Sequence, residues 1–343
     1  MKINLKIFFL VISNISLLFS SQLIVKKHSW ETIKTLEINN GPITALAFSP
    51  NEHYIVAASL NTIDIYAVNG NLIKRIDNAH EGKILDLKFS TSGHYLASSG
   101  TDKKIKIWDA YNNFTHRKTL YGHPIPCPTV DFIPDTNNLA SGCSNGDIKI
   151  WNIFTAEVLW TIHTHRPINS MSFSYDRKSF TYGMNNSPED TEKLNILDLS
   201  NNNIPKKLLY GYEDCFITSV KYSQFTDHMG CICSSSNEVL PTIYPDHSEI
   251  LICLINFDIS ANNQITKKIT DPELTNTFDF LSTDTLVAGY KNGKIKIWDF
   301  ENSIITDSWQ AHDTGINKLL FMPQTELIIS AGNDGFIKIW RNN

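Results

Sequence analysis

The 343-residue sequence holds six cysteines, Cys127, Cys143, Cys215, Cys231, Cys233 and Cys253, and no CxxC pair. That absence excludes a zinc ribbon and a thioredoxin-type motif. No Walker-type phosphate loop and no glycine-rich dinucleotide fingerprint occur, so no cofactor is expected from these motifs. Basic charge is not in excess. The formal net charge is −5, which argues against a broad nucleic-acid surface. After the first residues no 3.6-residue apolar periodicity is sustained, which excludes a core of amphipathic helices.

Long apolar runs are also scarce. The stretch Ile7–Phe19 is interrupted by Ser13, Asn14 and Ser16, and it is too short and too polar for a stable membrane span. With Lys2 and Lys6 ahead of it, this stretch resembles a secretory signal peptide. Residues 1–21 are therefore read as a signal peptide or an unstructured leader. Cysteine packs as a small hydrophobe, so the six are expected as buried thiols in an intracellular protein. A secretory location would instead predict oxidised pairs, for example Cys233 with Cys253.

What is present is repetition. "GTDKKIKIWDA" (100–110) returns as "SNGDIKIWNI" (144–153), "KNGKIKIWDF" (291–300) and "GNDGFIKIWRN" (332–342). Weaker copies place Tyr66, Leu197 and Phe257 at the closing aromatic position. The anchors Tyr66, Trp108, Trp151, Leu197, Phe257, Trp298 and Trp340 stand at intervals of 42, 43, 46, 60, 41 and 42 residues. Within each interval, short runs rich in Ile, Val, Phe and Thr are bounded by Asn, Asp and Gly, which is strand and turn behaviour. A hydrophobic fraction of 42% is ample for the core these strands would need.

The pattern resembles the WD-repeat β-propeller family, whose units of about 40–45 residues close on Trp-Asp. The pair itself stands at Trp108-Asp109 and Trp298-Asp299. The resemblance implies an all-β, seven-bladed propeller of four-stranded antiparallel blades over residues 30–343. Physically, a lone sheet leaves one face bare, whereas sheets stacked around an axis cover one another. The final unit has only three strands before the sequence stops. "ETIKTLEI" (31–38) is expected to supply the fourth by pairing with "FIKIW" (336–340).

The resemblance also implies a hydrogen-bonded set of His, Ser, Asp and Trp in each well-formed blade. Two units carry all four: His80, Ser98, Asp102 and Trp108, and His312, Ser330, Asp334 and Trp340. A third has His123, Ser141 and Trp151, with Asn145 for the acid. Ahead of Trp298, Asp271 replaces the His, Ala288 the Ser and Asn292 the Asp. The recurrence at the repeat period favours a structural role over catalysis.

Two motifs suggest chemistry. "GCSNG" (142–146) matches the G-x-S-x-G elbow of serine hydrolases, which would make Ser144 a nucleophile. That elbow needs a following helix, and "DIKIW" reads as a strand. His163 and His165 form an H-x-H without further ligands, so no metal site is expected. His163 is read as a register-slipped member of the buried His set.

Two insertions interrupt the fourth and fifth units. They carry Glu189, Asp190 and Glu192, then Glu238, Val239, Leu240, Ile243, Tyr244 and Asp246. Apolar side chains in an acidic rim suit a protein or peptide partner bearing basic residues. The resemblance thus implies a non-catalytic interaction scaffold, cytoplasmic or nuclear. The alternatives are a secretory-pathway binding module and, last, a hydrolase built on Ser144. The sequence leaves the oligomeric state open.

Overall fold

In the computed structural model the described residues are 30–38, 41–164, 166–176, 179–184, 194–198, 204–207, 215–226, 228–235, 248–254 and 265–343. Among them every regular element is a strand. β1 is Trp30–Glu37. Blade one is β2 (Ile43–Phe48), β3 (Tyr54–Ser59), β4 (Thr62–Ala67) and β5 (Leu72–Ile76). Blade two is β6 (Ile84–Phe89), β7 (Tyr95–Gly100), β8 (Ile105–Asp109) and β9 (Thr115–Leu120). Blade three is β10 (Thr129–Phe132), β11 (Asn138–Gly142), β12 (Asp147–Asn152) and β13 (Val158–His163). Blade four is β14 (Ile168–Phe173), β15 (Ser179–Met184), β16 (Leu194–Asp198) and β17 (Ile204–Lys207). Blade five is β18 (Cys215–Tyr222), β19 (His228–Ser235), β20 (Ser248–Leu254) and β21 (Ile265–Asp271). Blade six is β22 (Thr275–Phe280), β23 (Thr285–Tyr290), β24 (Lys294–Asp299) and β25 (Ile304–Gln310). Blade seven is β26 (Ile316–Met322), β27 (Leu327–Gly332) and β28 (Phe336–Asn342), with β1 as its outer strand.

Each blade is an antiparallel meander whose two faces are covered by its neighbours. Strand alternation does the sorting. In blade two, Leu87, Phe89, Leu96 and Trp108 pack with Ala47, Val56 and Ile65 of blade one. The intervening Ala97, Ile105 and Ile107 pack with Val130, Phe132, Leu139 and Trp151 of blade three. The same exchange joins blade three to four, five to six and six to seven. Close approach also demands small residues. A Cβ on Gly142 would lie 2.6 Å from Ile168 of the next blade, and one on Gly289 would lie 2.8 Å from Ile316.

The inner strands add a polar code that repeats around the axis. Four residues before the last aromatic of the inner strand, a side chain donates to a backbone carbonyl of the next blade. Thr44 reaches Ile84 O (2.6 Å), Asn169 reaches Ile217 O (3.0 Å) and Asn276 reaches Ile316 O (3.0 Å). Asn317 reaches Ile43 O at 2.9 Å, which joins blade seven to blade one. Carboxylates accept in the same direction: Asp86 from Val130 N, Asp131 from Phe173 N and Asp279 from Phe321 N. Each bond satisfies a backbone group that the meander leaves unpaired.

Three further features join the two chain ends. β1 pairs with β28 from Trp30↔Asn342 to Glu37↔Phe336. Leu36 and Ile38 share a core with Ile43 and Ile55 of blade one and Ile337 and Ile339 of blade seven. The buried Glu52 carboxylate accepts from Gln324 N, Thr325 N and Thr325 Oγ1, each at 2.8 Å.

Blade five corrects the anchor set. Cys253 pairs with Met229, which pairs with Tyr222, as Trp108 pairs with Leu96 and Leu96 with Phe89. Cys253, not Phe257, therefore holds the anchor position. The misreading came from the acid after Phe257, which imitates the Trp-Asp ending four residues too late. Phe257 itself lies outside the described residues. The same register rules out the Cys233–Cys253 pair. Cys233 stands opposite Glu249 and Cys253 opposite Met229, an offset of roughly 13 Å along the strands.

Deleting residues 30–38 removes the outer strand of blade seven and two buried aliphatic side chains worth ~1.5–3 kcal/mol each. Calorimetry of the truncated protein should show loss of the cooperative melt. A transition like that of the full chain would mean that β1 does not hold the ends together.

Candidate functional site

The complete polar sets assemble in blades two and seven. His80 sits in the lead-in loop before β6, and Asp102 in the turn between β7 and β8. Asp102 Oδ1 lies 2.9 Å from His80 Nδ1, and His80 Nε2 lies 2.7 Å from Ser98 Oγ. Trp108 Nε1 donates to Ser98 Oγ at 2.9 Å. A carboxylate only accepts, so the ring proton sits on Nδ1, and Ser98 donates to Nε2 while accepting from the indole. Blade seven repeats this with His312–Asp334 at 2.8 Å, His312–Ser330 at 2.7 Å and Trp340→Ser330 at 2.9 Å.

Electrostatics agree with a structural role. Burial lowers the His80 imidazole pKa although Asp102 opposes it, and burial lowers His312 against Asp334. Burial pushes the Asp102 carboxyl up, but the His80 N–H and the backbone N–H groups of Lys104 and Glu81 outweigh it and leave it below the usual range. Every polar atom of the set is engaged inside the blade, so nothing is presented to a substrate.

Blades three and six depart from this plan at one shared position, eight residues before the Trp. Blades two and seven have Gly100 and Gly332 there. A Cβ on Gly100 would lie 2.6 Å from His80 Nδ1 and 2.7 Å from Asp102 Oδ1. One on Gly332 would lie 2.5 Å from Asp334 Oδ1 and 2.7 Å from His312 Nδ1. A side chain at this position and a carboxylate two residues on thus compete for the same space. Blade three has Cys143 and Asn145, and blade six has Tyr290 and Asn292.

In blade six Tyr290 takes over the serine's task. Trp298 Nε1 donates to its hydroxyl at 3.0 Å, and the hydroxyl donates to Asp271 Oδ2 at 3.0 Å. Ala288 stands in the serine position. Buried Lys296 completes the set, with Nζ 2.7 Å from Asp271 and 2.7 Å from Glu273. Burial, then the Asp271 charge, raise the Tyr290 phenol well above its ordinary range. Sequence reasoning placed Asp271 and missed Tyr290 and Lys296. Tyr-for-Gly at the eighth residue before Trp was the signal available.

In blade three His123 Nε2 is 2.7 Å from Ser141 Oγ, and Trp151 Nε1 donates to that oxygen at 2.7 Å. His123 Nδ1 faces Cys143 Sγ at 2.9 Å. Cys143 is disulfide-bonded to Cys127, which corrects the expectation that both are thiols. Burial lowers the His123 pKa to about 4, helped by Lys149 and opposed by Asp147. Blade one, closing on Tyr66, uses a different pair: Arg75 grips the buried Asp64 carboxylate through two bonds of 2.7 and 2.9 Å.

The remaining sequence candidates fall as follows. Ser144 is exposed in the β11–β12 turn with a strand on each side, and its neighbour His123 turns both ring nitrogens elsewhere. The hydrolase geometry is not formed. His163 is not a buried lead-in His: it ends the outer strand β13, exposed, with Nδ1 2.6 Å from Asp147. His165 lies outside the described residues, as do residues 1–29 with the leader. So do Glu189, Asp190, Glu192, Glu238, Val239, Leu240, Ile243, Tyr244 and Asp246. Among the described residues no helix is long and apolar enough to cross a membrane.

Two surfaces remain for binding. The seven inner strands line a central space of about 770 Å³ in which Lys221 pairs with Asp279 at 2.7 Å and Lys88 lies 3.6 Å from Asp131. On the rim, consecutive Val158, Leu159 and Trp160 of β13 are all exposed, so both faces of that outer strand meet solvent. Phe154, in the turn ahead of β13, is exposed as well, with Tyr95 of blade two against its ring and the Arg117 guanidinium 5.1 Å from its ring centre.

Residues 30–66, 70–109, 114–152 and 304–341 match the family described as WD domain, G-beta repeat. The chain is 24% identical over 324 residues to the transcriptional corepressor LEUNIG_HOMOLOG of Arabidopsis thaliana, covering 92% of this chain and 37% of that protein. It is 25% identical over 316 residues to the nuclear distribution protein PAC1 of Arthroderma benhamiae, covering 89% of this chain and 60% of that protein. To pre-mRNA-processing factor 17 of Mus musculus it is 24% identical over 311 residues, 85% of this chain and 49% of that protein. The chain therefore spans between about a third and three fifths of these relatives.

Two outcomes follow from the polar sets. Tyr290→Phe strands the Trp298 N–H and leaves Asp271 Oδ2 with Lys296 alone of its two donors, and Ser98→Ala strands Trp108 and His80. Each should cost ~1–3 kcal/mol in chemical denaturation. The imidazoles of His80, His123 and His312 are lowered in the fold, so the unfolded chain binds more protons below its own pKa near 6.5. Their contribution is complete above that pH and is lost as pH falls, for His123 down to about 4. Thermal melts across this window should drop steadily, and His123→Gln, which cannot protonate, should flatten part of the slope.

Proposed function

We propose that the chain is a WD-repeat propeller of the non-catalytic kind, a protein-interaction scaffold holding partner proteins or peptides on its rim and top face. The observation that carries this reading is the β13 rim. Val158 and Trp160 on one face of this outer strand and Leu159 on the other are all exposed, and exposed apolar surface on both faces of a rim strand suits contact with a partner. β13 is also an edge strand, so its outer backbone groups can pair with an added peptide strand.

The acidic insertions of blades four and five are a second proposed contact surface, for a partner with basic residues. They combine Glu189, Asp190, Glu192, Glu238 and Asp246 with Val239, Leu240, Ile243 and Tyr244. Relatives named for nuclear distribution, transcriptional corepression and pre-mRNA processing support a cytoplasmic or nuclear place of work. The secretory reading rests on residues 1–21 and on the Cys127–Cys143 disulfide, an oxidised pair of the kind that location predicts.

Affinity purification from the native source should distinguish the surfaces. Leu159→Lys with Trp160→Glu should abolish or strongly reduce capture of a rim partner while the circular dichroism melt stays unchanged. Replacing residues 236–247 with an Asn-Gly turn should release a basic partner and leave the rim partner bound. Undiminished binding in both variants would remove both surfaces.

A further inference from the structure

Blade three has exchanged a polar tie for a sulfur one. In blades two and seven the His–Asp bond fastens the lead-in loop to the turn between the second and third strands. Blade three lacks that carboxylate, and Asn145 turns away to donate to Asp147 at 2.7 Å. Cys127 lies in the lead-in loop and Cys143 opens the β11–β12 turn, so their bond fastens the same two pieces. His123, Cys127 and Cys143 are all buried, and their Nδ1 and Sγ atoms lie within 4.8 Å of one another. We propose that Cys127 and Cys143 form a redox-active pair, positioned by His123, which locks the blade-three lead-in loop when oxidised and frees it when reduced.

The local geometry supplies what thiol–disulfide exchange needs. Ser141 Oγ also reaches Lys149 O at 3.4 Å, so it can accept from His123 Nε2–H and pass its own proton to that carbonyl. His123 Nδ1 then carries the free lone pair facing Cys143. With a small disulfide such as oxidised glutathione as oxidant, the Cys143 proton moves to Nδ1 and the thiolate attacks one glutathione sulfur. The S–S bond of the oxidant breaks, and one glutathione leaves as thiolate and is protonated. Cys127, as thiolate, next attacks the Cys143 sulfur, forms the Cys127–Cys143 bond and releases the second glutathione. Two electrons and two protons leave the pair, and two glutathione thiols result; a small thiol reverses the steps. The lead-in loop, residues 121–128, includes Pro124, Pro126 and Pro128, which have no N–H to fix it, and Tyr121 and Pro124 are exposed. Lifting this loop opens the buried sulfurs to the reagent. A reducing compartment would keep the loop free and an oxidising one would keep it fastened.

The test equilibrates the full chain in glutathione buffers of graded ratio, alkylates the thiols under acid quench and maps them by peptide mass. Hydrogen exchange across residues 121–128 is read in parallel. The pair should interconvert with the ratio, and loop opening should be roughly a hundredfold rarer in the oxidised form. His123→Asn should slow the exchange without moving its end point. The double variant Cys143→Gly/Asn145→Asp restores the Gly–Asp arrangement of blades two and seven. It should fold, with loop protection independent of the buffer. Both thiols remaining alkylatable in oxidising buffer would overturn the proposal. So would equal loop protection in both forms, or a tightly held metal that blocks oxidation until chelated.

Discussion

A four-stranded sheet has two apolar faces, and in this protein neither can be covered from within its own blade. Trp108 and Leu96 need blade one, while Ile107 and Ala97 need blade three. Mutual cover of this kind works only if the sequence of blades returns on itself, since a terminal face would otherwise stay bare. Much of the polar architecture serves that return. Asn317 and Glu52 spend their hydrogen bonds on the first and last blades, and β1 crosses from the beginning of the described chain to its end.

Inside the blades a second constraint operates, on volume instead of area. The space beside the lead-in histidine admits an aspartate carboxylate or a side chain eight residues before the Trp, but not both. Glycine with aspartate, cysteine with asparagine and tyrosine with asparagine are three solutions to one packing problem. Each leaves the indole N–H bonded, through Ser98, Ser141, Ser330 or Tyr290. The solutions differ in chemistry, however. Blade six buries a Lys296–Asp271 ion pair, and blade three acquires two sulfurs beside an imidazole. Variation that looks like decay of the repeat is thus locally compensated.

In blades two, three, six and seven the polar groups around the indole N–H satisfy one another, which leaves binding to the surface. In blades two and seven the buried His, Ser and Asp have no atom left for chemistry. The apolar side chains of Val158, Leu159 and Trp160 on β13 stay exposed. This division between a self-satisfied framework and an unsatisfied rim suits a protein that works by holding others.

Period and turn chemistry made the blades legible in the sequence. Trp108, Trp151, Trp298 and Trp340 recur because each closes the same strand, and alternation along that strand fixes which residues face which neighbour. The His80 and His312 sets were legible for the same reason, as identical spacings imply identical geometry. Blade five was misread at Phe257 because a displaced aromatic-acid pair outweighs a Cys253 that carries no signature. The Cys127–Cys143 bond, the Tyr290–Asp271–Lys296 set and the bonds between inner strands were not legible. They depend on which atoms meet across loops and blades, and a one-dimensional period carries no such distances. The sequence by itself determined the repeating strand pattern and the burial of its apolar residues, through local propensity and alternation. Only the tertiary structure decided how each blade satisfies its buried polar atoms, because that depends on space shared between segments distant in the chain.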